Sequence, residues 1–170
     1  MTDAFTFDKV GEMNRQRTHD LVNPTAADAQ PVLSAGRNCS AISMANRATV
    51  LIDGASYFAA LDAVLRTAER SITIIGWDFD ASIRLRPQDG PNAPVLGDLL
   101  RDLVEKRADL HVRVLIWSLA TVHTPSAATP LLVGSGWANH ERIHLHLDTH
   151  HPIYASHHQK IVIVDDAVVF

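Results

Sequence analysis

One cysteine, Cys39, is all the thiol this chain possesses, so no intrachain disulfide can hold it together. The amino terminus carries Asp3, Asp8 and Glu12 where a secretory signal needs a basic start and an apolar run, which together with the lone cysteine points to a reducing, cytoplasmic setting. No window approaches the roughly 20 apolar residues of a spanning helix, leaving peripheral contact as the mode by which this segment would meet a membrane. An excess of positive charge is also missing. The net charge is −4 and the pI near 6.2, without an arginine-rich, aromatic-lined stretch, and this makes a dedicated nucleic-acid binder an unlikely fit. There is no internal repeat and no low-complexity tract.

What is present suits one ordinary domain: 170 residues, 46% of them hydrophobic, enough to bury a single core. Residues 1 to 36 mix polar, charged and small residues without a period, are interrupted by Pro24 and Pro31, and close at Gly36; they read as a loosely ordered leader. Ala48 to Ile52 is a short strand candidate, and Asp53-Gly54 after it is a common turn pair. Phe58, Leu61, Leu65 and Ala68 fall at helical spacing and predict an amphipathic helix over 56–70. Ser71 to Trp77 reads as a buried strand, Arg86 to Pro94 as a surface loop, and the stripe Leu96, Leu99, Leu100, Leu103 and Val104 as a second helix. His111 to Trp117 is the next strand, apolar enough for a sheet covered on both faces. A third helix is predicted within 128–140, weakened by Gly134 and Gly136, followed by strands over Ile143 to Leu147 and Lys160 to Val164. Alternating strands and helices of these lengths imply an α/β fold with a mostly parallel mixed sheet flanked by helices.

Chemistry concentrates near the end. His158 and Lys160 stand two apart on the last predicted strand, so both side chains leave the same sheet face. A neutral imidazole can attack phosphorus, and a neighbouring ammonium neutralises the charge that the transition state gathers on the non-bridging oxygens. Asp165, five residues past Lys160, would lie on the opposite face of an unbroken strand; a supporting, structural role at the strand end is assigned to it. His144, His146, His150, His151, His157 and His158 crowd one stretch, yet with no cysteine beside them and no HExxH spacing they read as surface and hydrogen-bonding residues, not metal ligands. Trp77, Asp78 and Asp80 fall at a strand's carboxyl end, where α/β sheets place ligands; Trp77 serves core packing or a substrate wall equally well. Arg37 reads as a surface residue and Cys39 as a structural one.

His158-x-Lys160-x(4)-Asp165 resembles the HxK(x)4D signature of the phospholipase D superfamily. Gly36-Arg37-Asn38-Cys39, Tyr57-Phe58-x-x-Leu61, the run from Ile74 through Gly76-Trp77-Asp78-Phe79-Asp80, and Pro152 with Ser156-His157-His158-Gln159-Lys160 resemble the bacterial phospholipase D and cardiolipin-synthase-like branch. The likeness extends over residues 31 to 170 and marks 37–170 as a partial catalytic domain. It implies a two-step phosphodiester exchange through a phosphohistidine on His158, with Lys160 holding the phosphate, Asp165 in support, and no metal or cofactor. Glycerophospholipid is the implied substrate, hydrolysed or transferred at a membrane surface. An endonuclease is the runner-up, and a non-catalytic half-domain that binds phosphate or a partner chain is the third reading.

The resemblance also implies a second such motif, and these 170 residues hold one. The chain ends at Phe170, before the Gly-Gly turn and polar residue that the resemblance leads one to expect. The expectation is therefore the amino-terminal part of a longer enzyme, inactive alone and needing a second half from a longer chain or another subunit. Ile161 to Val164 and Val168 to Phe170 would then be exposed on a sheet short of partner strands.

Overall fold

The computed structural model describes residues 32–117, 137, 140–152 and 155–170. The chain divides into two compact units, Met1–Ile52 and Asp53–Phe170, whereas composition changes near residue 36.

In the first unit the described residues form a small polar knot. Gly36, at φ +77°, turns the chain so that its N–H reaches the Cys39 carbonyl at 2.8 Å. Asn38 pins the turn from inside, accepting the Ser34 N–H and donating to the Val32 carbonyl, both at 2.7 Å. The strand expected over Ala48 to Ile52 does not form: no ladder takes up its backbone, and Val50 and Ile52 are 78% and 57% exposed. A β-branched run becomes a strand only where a neighbouring strand accepts its hydrogen bonds.

The second unit opens with helix α1, Asp53–Leu65. The Asp-Gly pair is its first turn and not a separate one: Asp53 sits at φ +70° and its Oδ1 accepts the Ser56 N–H at 2.9 Å, the work of a capping side chain. The helix stops five residues short of the expected Arg70. Thr67 Oγ1 donates to the Val64 carbonyl at 2.7 Å, and the N–H groups of Glu69, Arg70 and Ser71 are all taken by Asp165, which leaves the helical ladder no donors there. Helix α2, Leu96–Lys106, buries Leu96, Leu99, Leu100, Leu103 and Val104, the stripe read from the sequence. Its carboxyl end is closed from a distance: Arg142 Nη1 donates to the carbonyls of Val104 at 2.7 Å and Arg107 at 2.6 Å, a cation where the helix dipole favours one. Between the helices, residues 86–94 form the expected loop, tied down by Arg84, which donates to the carbonyls of Ala93 and Pro91.

Five strands make one mixed sheet: β1 Ser71–Gly76, β2 His111–Trp117, β3 Ile143–Asp148, β4 Ile161–Val164 and β5 Ala167–Val169, in the order β3-β2-β1-β4-β5. The first three run parallel; β4 returns antiparallel beside β1, and β5 folds back on β4. The α/β architecture is thus as the alternation of elements implied. Register aligns the core in rows across the sheet, with Ile143, Val112, Ile72 and Val164 in one and Leu145, Val114, Ile74 and Val162 in the next. Burying side chains of this size contributes roughly 1.5–3 kcal/mol each. Burial alternates along β1 and β4, and Arg113 on β2 and His144 and His146 on β3 stand exposed. Among the described residues, only one face of the sheet is therefore fully covered, where coverage of both was expected.

Two further expectations change. Ile161–Val164 is not a bare edge: it lies between β1 and β5, with Val162 and Val164 buried, and only Val168 and Phe170 stay exposed. The helix expected over 128–140 falls largely outside the described residues; at its two described positions, Trp137 and His140, the backbone is not helical, and Trp137 is buried against Phe79. No helix among the described residues is long and apolar enough to cross a membrane.

Candidate active site

The antiparallel return of β4 decides where the chemistry lies. Ile161 pairs with Ile75, so Lys160 and His158, just upstream, run past the carboxyl end of β1 towards Trp77 and Asp78. They precede β4 instead of sitting within it as expected, but the chain stays extended and their side chains still meet: Lys160 Nζ lies 3.0 Å from His158 Nε2 and 3.4 Å from Nδ1. Lysine has no acceptor, so its N–H donates and the imidazole nitrogen accepts, which places that nitrogen's lone pair against the ammonium. Both residues are exposed, open to an incoming anion.

They stand at a cleft of about 440 Å³. Tyr57, Phe58 and Leu61 of α1 form one wall, and Ile83, Leu85 and Leu96 another. The strand-end run contributes Gly76, Trp77, Asp78, Phe79 and Asp80. The site is at the carboxyl ends of the parallel strands, where helices and strands diverge and α/β sheets open. Gly76 keeps the end of β1 tight: a Cβ there would come 2.7 Å from the Asp78 carbonyl oxygen. Trp77 both lines the cleft and stacks on Trp117, centroids 5.4 Å apart and planes at 28°, so it serves packing and wall at once. Asp80 is occupied in a local turn, its Oδ1 accepting Ser82 N–H and Oγ–H. Asp78 keeps a buried Oδ1 that makes no hydrogen bond. Burial raises the Tyr57 phenol above its ordinary pKa, which keeps that wall neutral.

Asp165 is not brought to this cleft. It lies at the opposite end of β4, in the turn to β5, at φ +49°. Its carboxylate accepts three backbone N–H groups, from Glu69 at 2.8 Å, Arg70 at 3.0 Å and Ser71 at 2.8 Å, while its own N–H donates to the Ser71 carbonyl at 2.9 Å. Burial pushes its pKa up, but the three amides and the Arg70 guanidinium outweigh that and hold it below the usual carboxylate range. The residue anchors the start of β1.

Sequence reasoning did not single out Trp117 and Asp148. They are register partners at the ends of β2 and β3, and both reach the segment that leads to His158. Trp117 Nε1 donates to the Ala155 carbonyl at 3.1 Å, and Asp148 Oδ2 lies 3.8 Å from His157 Nε2. The available signal was their position as the last residues of strands feeding the same sheet end. Among the described residues no group of three His, Cys, Asp or Glu side chains converges to hold a metal. Arg37 is exposed and Cys39 half-buried, both in the first unit.

No family model matches the chain. It is 28% identical over 123 residues, 70% of its own length, to phospholipase D B of Dictyostelium discoideum. The chain spans about a tenth of the length of that curated relative. This is a distant similarity to a phospholipase D and extends across most of the second unit or its equivalent length.

Proposed function

We propose that the chain carries half of a phospholipase D-type phosphodiester site, acting on glycerophospholipid at a membrane surface. The observation that carries the reading is the contact between His158 Nε2 and Lys160 Nζ at the mouth of a largely apolar cleft. In the first step the imidazole lone pair forms a bond to phosphorus and the phosphorus–oxygen bond to the leaving alcohol breaks. Lys160 donates to the non-bridging oxygens as charge builds on them. The alcohol must take up a proton as it leaves; a second histidine from another half-site is the proposed source. Water or an acceptor alcohol then displaces the imidazole from phosphorus, giving up its proton in the same step. The apolar walls favour a lipid over a nucleic acid, which would call for basic and aromatic side chains along the groove.

A diester whose leaving group needs no proton separates His158 from its missing partner. Bis(p-nitrophenyl) phosphate releases p-nitrophenolate unaided, so the 170-residue chain is expected to give a burst approaching one equivalent and a phosphohistidine visible by phosphorus NMR. The same chain is expected to leave short-chain phosphatidylcholine and phosphatidylglycerol intact, since an alkoxide departing without general acid help costs about 10²–10⁴-fold in rate. Folded protein that shows no burst, or a burst that survives His158→Ala, would sink the reading. Cleavage of single-stranded DNA with no lipid turnover in a complemented enzyme would turn it towards a nuclease.

A further inference from the structure

We propose that Trp117 and Asp148 form a positioning clamp that sets His158 against Lys160; the benefit to phosphate chemistry rests on the function proposed above, while the clamp itself does not. The segment entering β4 is extended, and its exposure alternates: Ala155 and His157 are half-buried, Ser156 and His158 exposed. In an extended chain alternate residues face opposite ways. The odd positions are thus held by the sheet end and the even ones are presented outward to the cleft.

The holding groups come from two neighbouring strands. Trp117 and Asp148 are paired in register at the ends of β2 and β3. Trp117 is fixed on one side by its stack on Trp77 and spends its indole N–H on the Ala155 carbonyl. Asp148 is oriented by the His150 N–H, which its Oδ1 accepts at 2.9 Å, and this leaves Oδ2 facing His157 at 3.8 Å. Both ring nitrogens of His157 are buried without a hydrogen bond, so the carboxylate is the group that can hold this ring by charge or by a small closing movement. His157 is the residue immediately before His158. Fixing one ring and one carbonyl within three residues of the exposed imidazole removes the freedom that would let it swing away from Lys160.

The test is made on the whole chain with labelled histidine, using the through-space contact between the His158 ring and the Lys160 side chain in NMR. Methyl signals of Ile72, Val112 and Val114 report the core. In Asp148→Ala and in Trp117→Phe, which keeps a ring against Trp77 and deletes only the indole donor, the His158–Lys160 contact is expected to disappear while the core methyls hold. Retention of the contact in both variants, its absence from the unsubstituted chain, or displacement of the core methyls together with it in both, would overturn the clamp. Inorganic phosphate added to the same samples reads the chemistry separately. Each variant is expected to need about fivefold more phosphate to shift the His158 signal, the scale of one lost hydrogen bond. If phosphate leaves the unsubstituted chain unchanged while the variants lose the contact, the phosphodiester reading falls and the clamp stands. Equal phosphate demand in all three chains overturns the clamp.

Discussion

Nine consecutive residues, His158 to Asp166, serve the two ends of one sheet, and the two ends are built on opposite principles. At the base, every strong group is matched: Asp165 takes three amides, Arg70 Nη2 meets Asp166 Oδ2 at 2.8 Å, and the Asp165 N–H closes on Ser71. At the cleft end, polar groups are left available: His158 and Lys160 are exposed, and Asp78 has a buried oxygen without a hydrogen bond. Satisfied groups in a low-dielectric setting stabilise a fold, while unsatisfied ones cost energy and persist where chemistry uses them. The contrast assigns stability to one half of the stretch and reactivity to the other.

Substitution at each end is the strongest way to break that division. His158→Ala is expected to abolish the nitrophenolate burst and leave the unfolding midpoint unchanged, whereas Asp165→Ala does the reverse to stability. Removing a carboxylate that satisfies three amides is expected to cost about 2–3 kcal/mol in urea unfolding at pH 7. A loss of burst in Asp165→Ala under conditions where it remains folded would show that the base also serves the chemistry.

Acid sharpens the same comparison. The Asp165 pKa is lowered by folding, so its stabilisation is fully present above the unfolded value, about 4 for an aspartate, and is lost as pH falls through the lower folded value. Unfolding measured from pH 6 down to pH 2 is expected to steepen in the parent chain and to flatten in Asp165→Asn. Equal slopes in the two proteins would remove the carboxylate from the account.

Smaller effects follow at the cleft end and on the surface. Gly76→Ala forces a methyl group to 2.7 Å from the Asp78 carbonyl oxygen, and the backbone must give; a loss of about 1–3 kcal/mol is expected, with a weaker burst because the Trp77–Asp78 wall moves. Arg101→Ala removes an exposed helix pair with Glu105 at 2.8 Å and is expected to change stability by no more than about 0.5 kcal/mol. An effect as large as that of Gly76 would mean that the exposed face of α2 is not free surface.

Periodic elements were the legible part of the fold. The α2 stripe and the strands β1 to β3 were visible because burial repeats along them every few residues, and the alternation of strands and helices led to the α/β sheet. Ala48 to Ile52 misled because a strand is defined by a partner that a local pattern does not contain. The end of α1 was equally hidden: its terminating interaction comes from Asp165, some 95 residues away along the chain. At the site, two residues two apart announced that they would meet. Trp117 and Asp148 did not, since nothing local shows that β2 and β3 finish side by side below the segment that carries His158.

The spacing between Lys160 and Asp165 acquires a meaning from the path of β4. Four strand residues separate them, and they span the sheet from its open end to its stapled base, so the interval is a ruler for the height of the sheet at this point. One residue more or fewer would detach either the ammonium from the cleft or the carboxylate from its three amides. A fixed interval of this kind records architecture as much as reactivity.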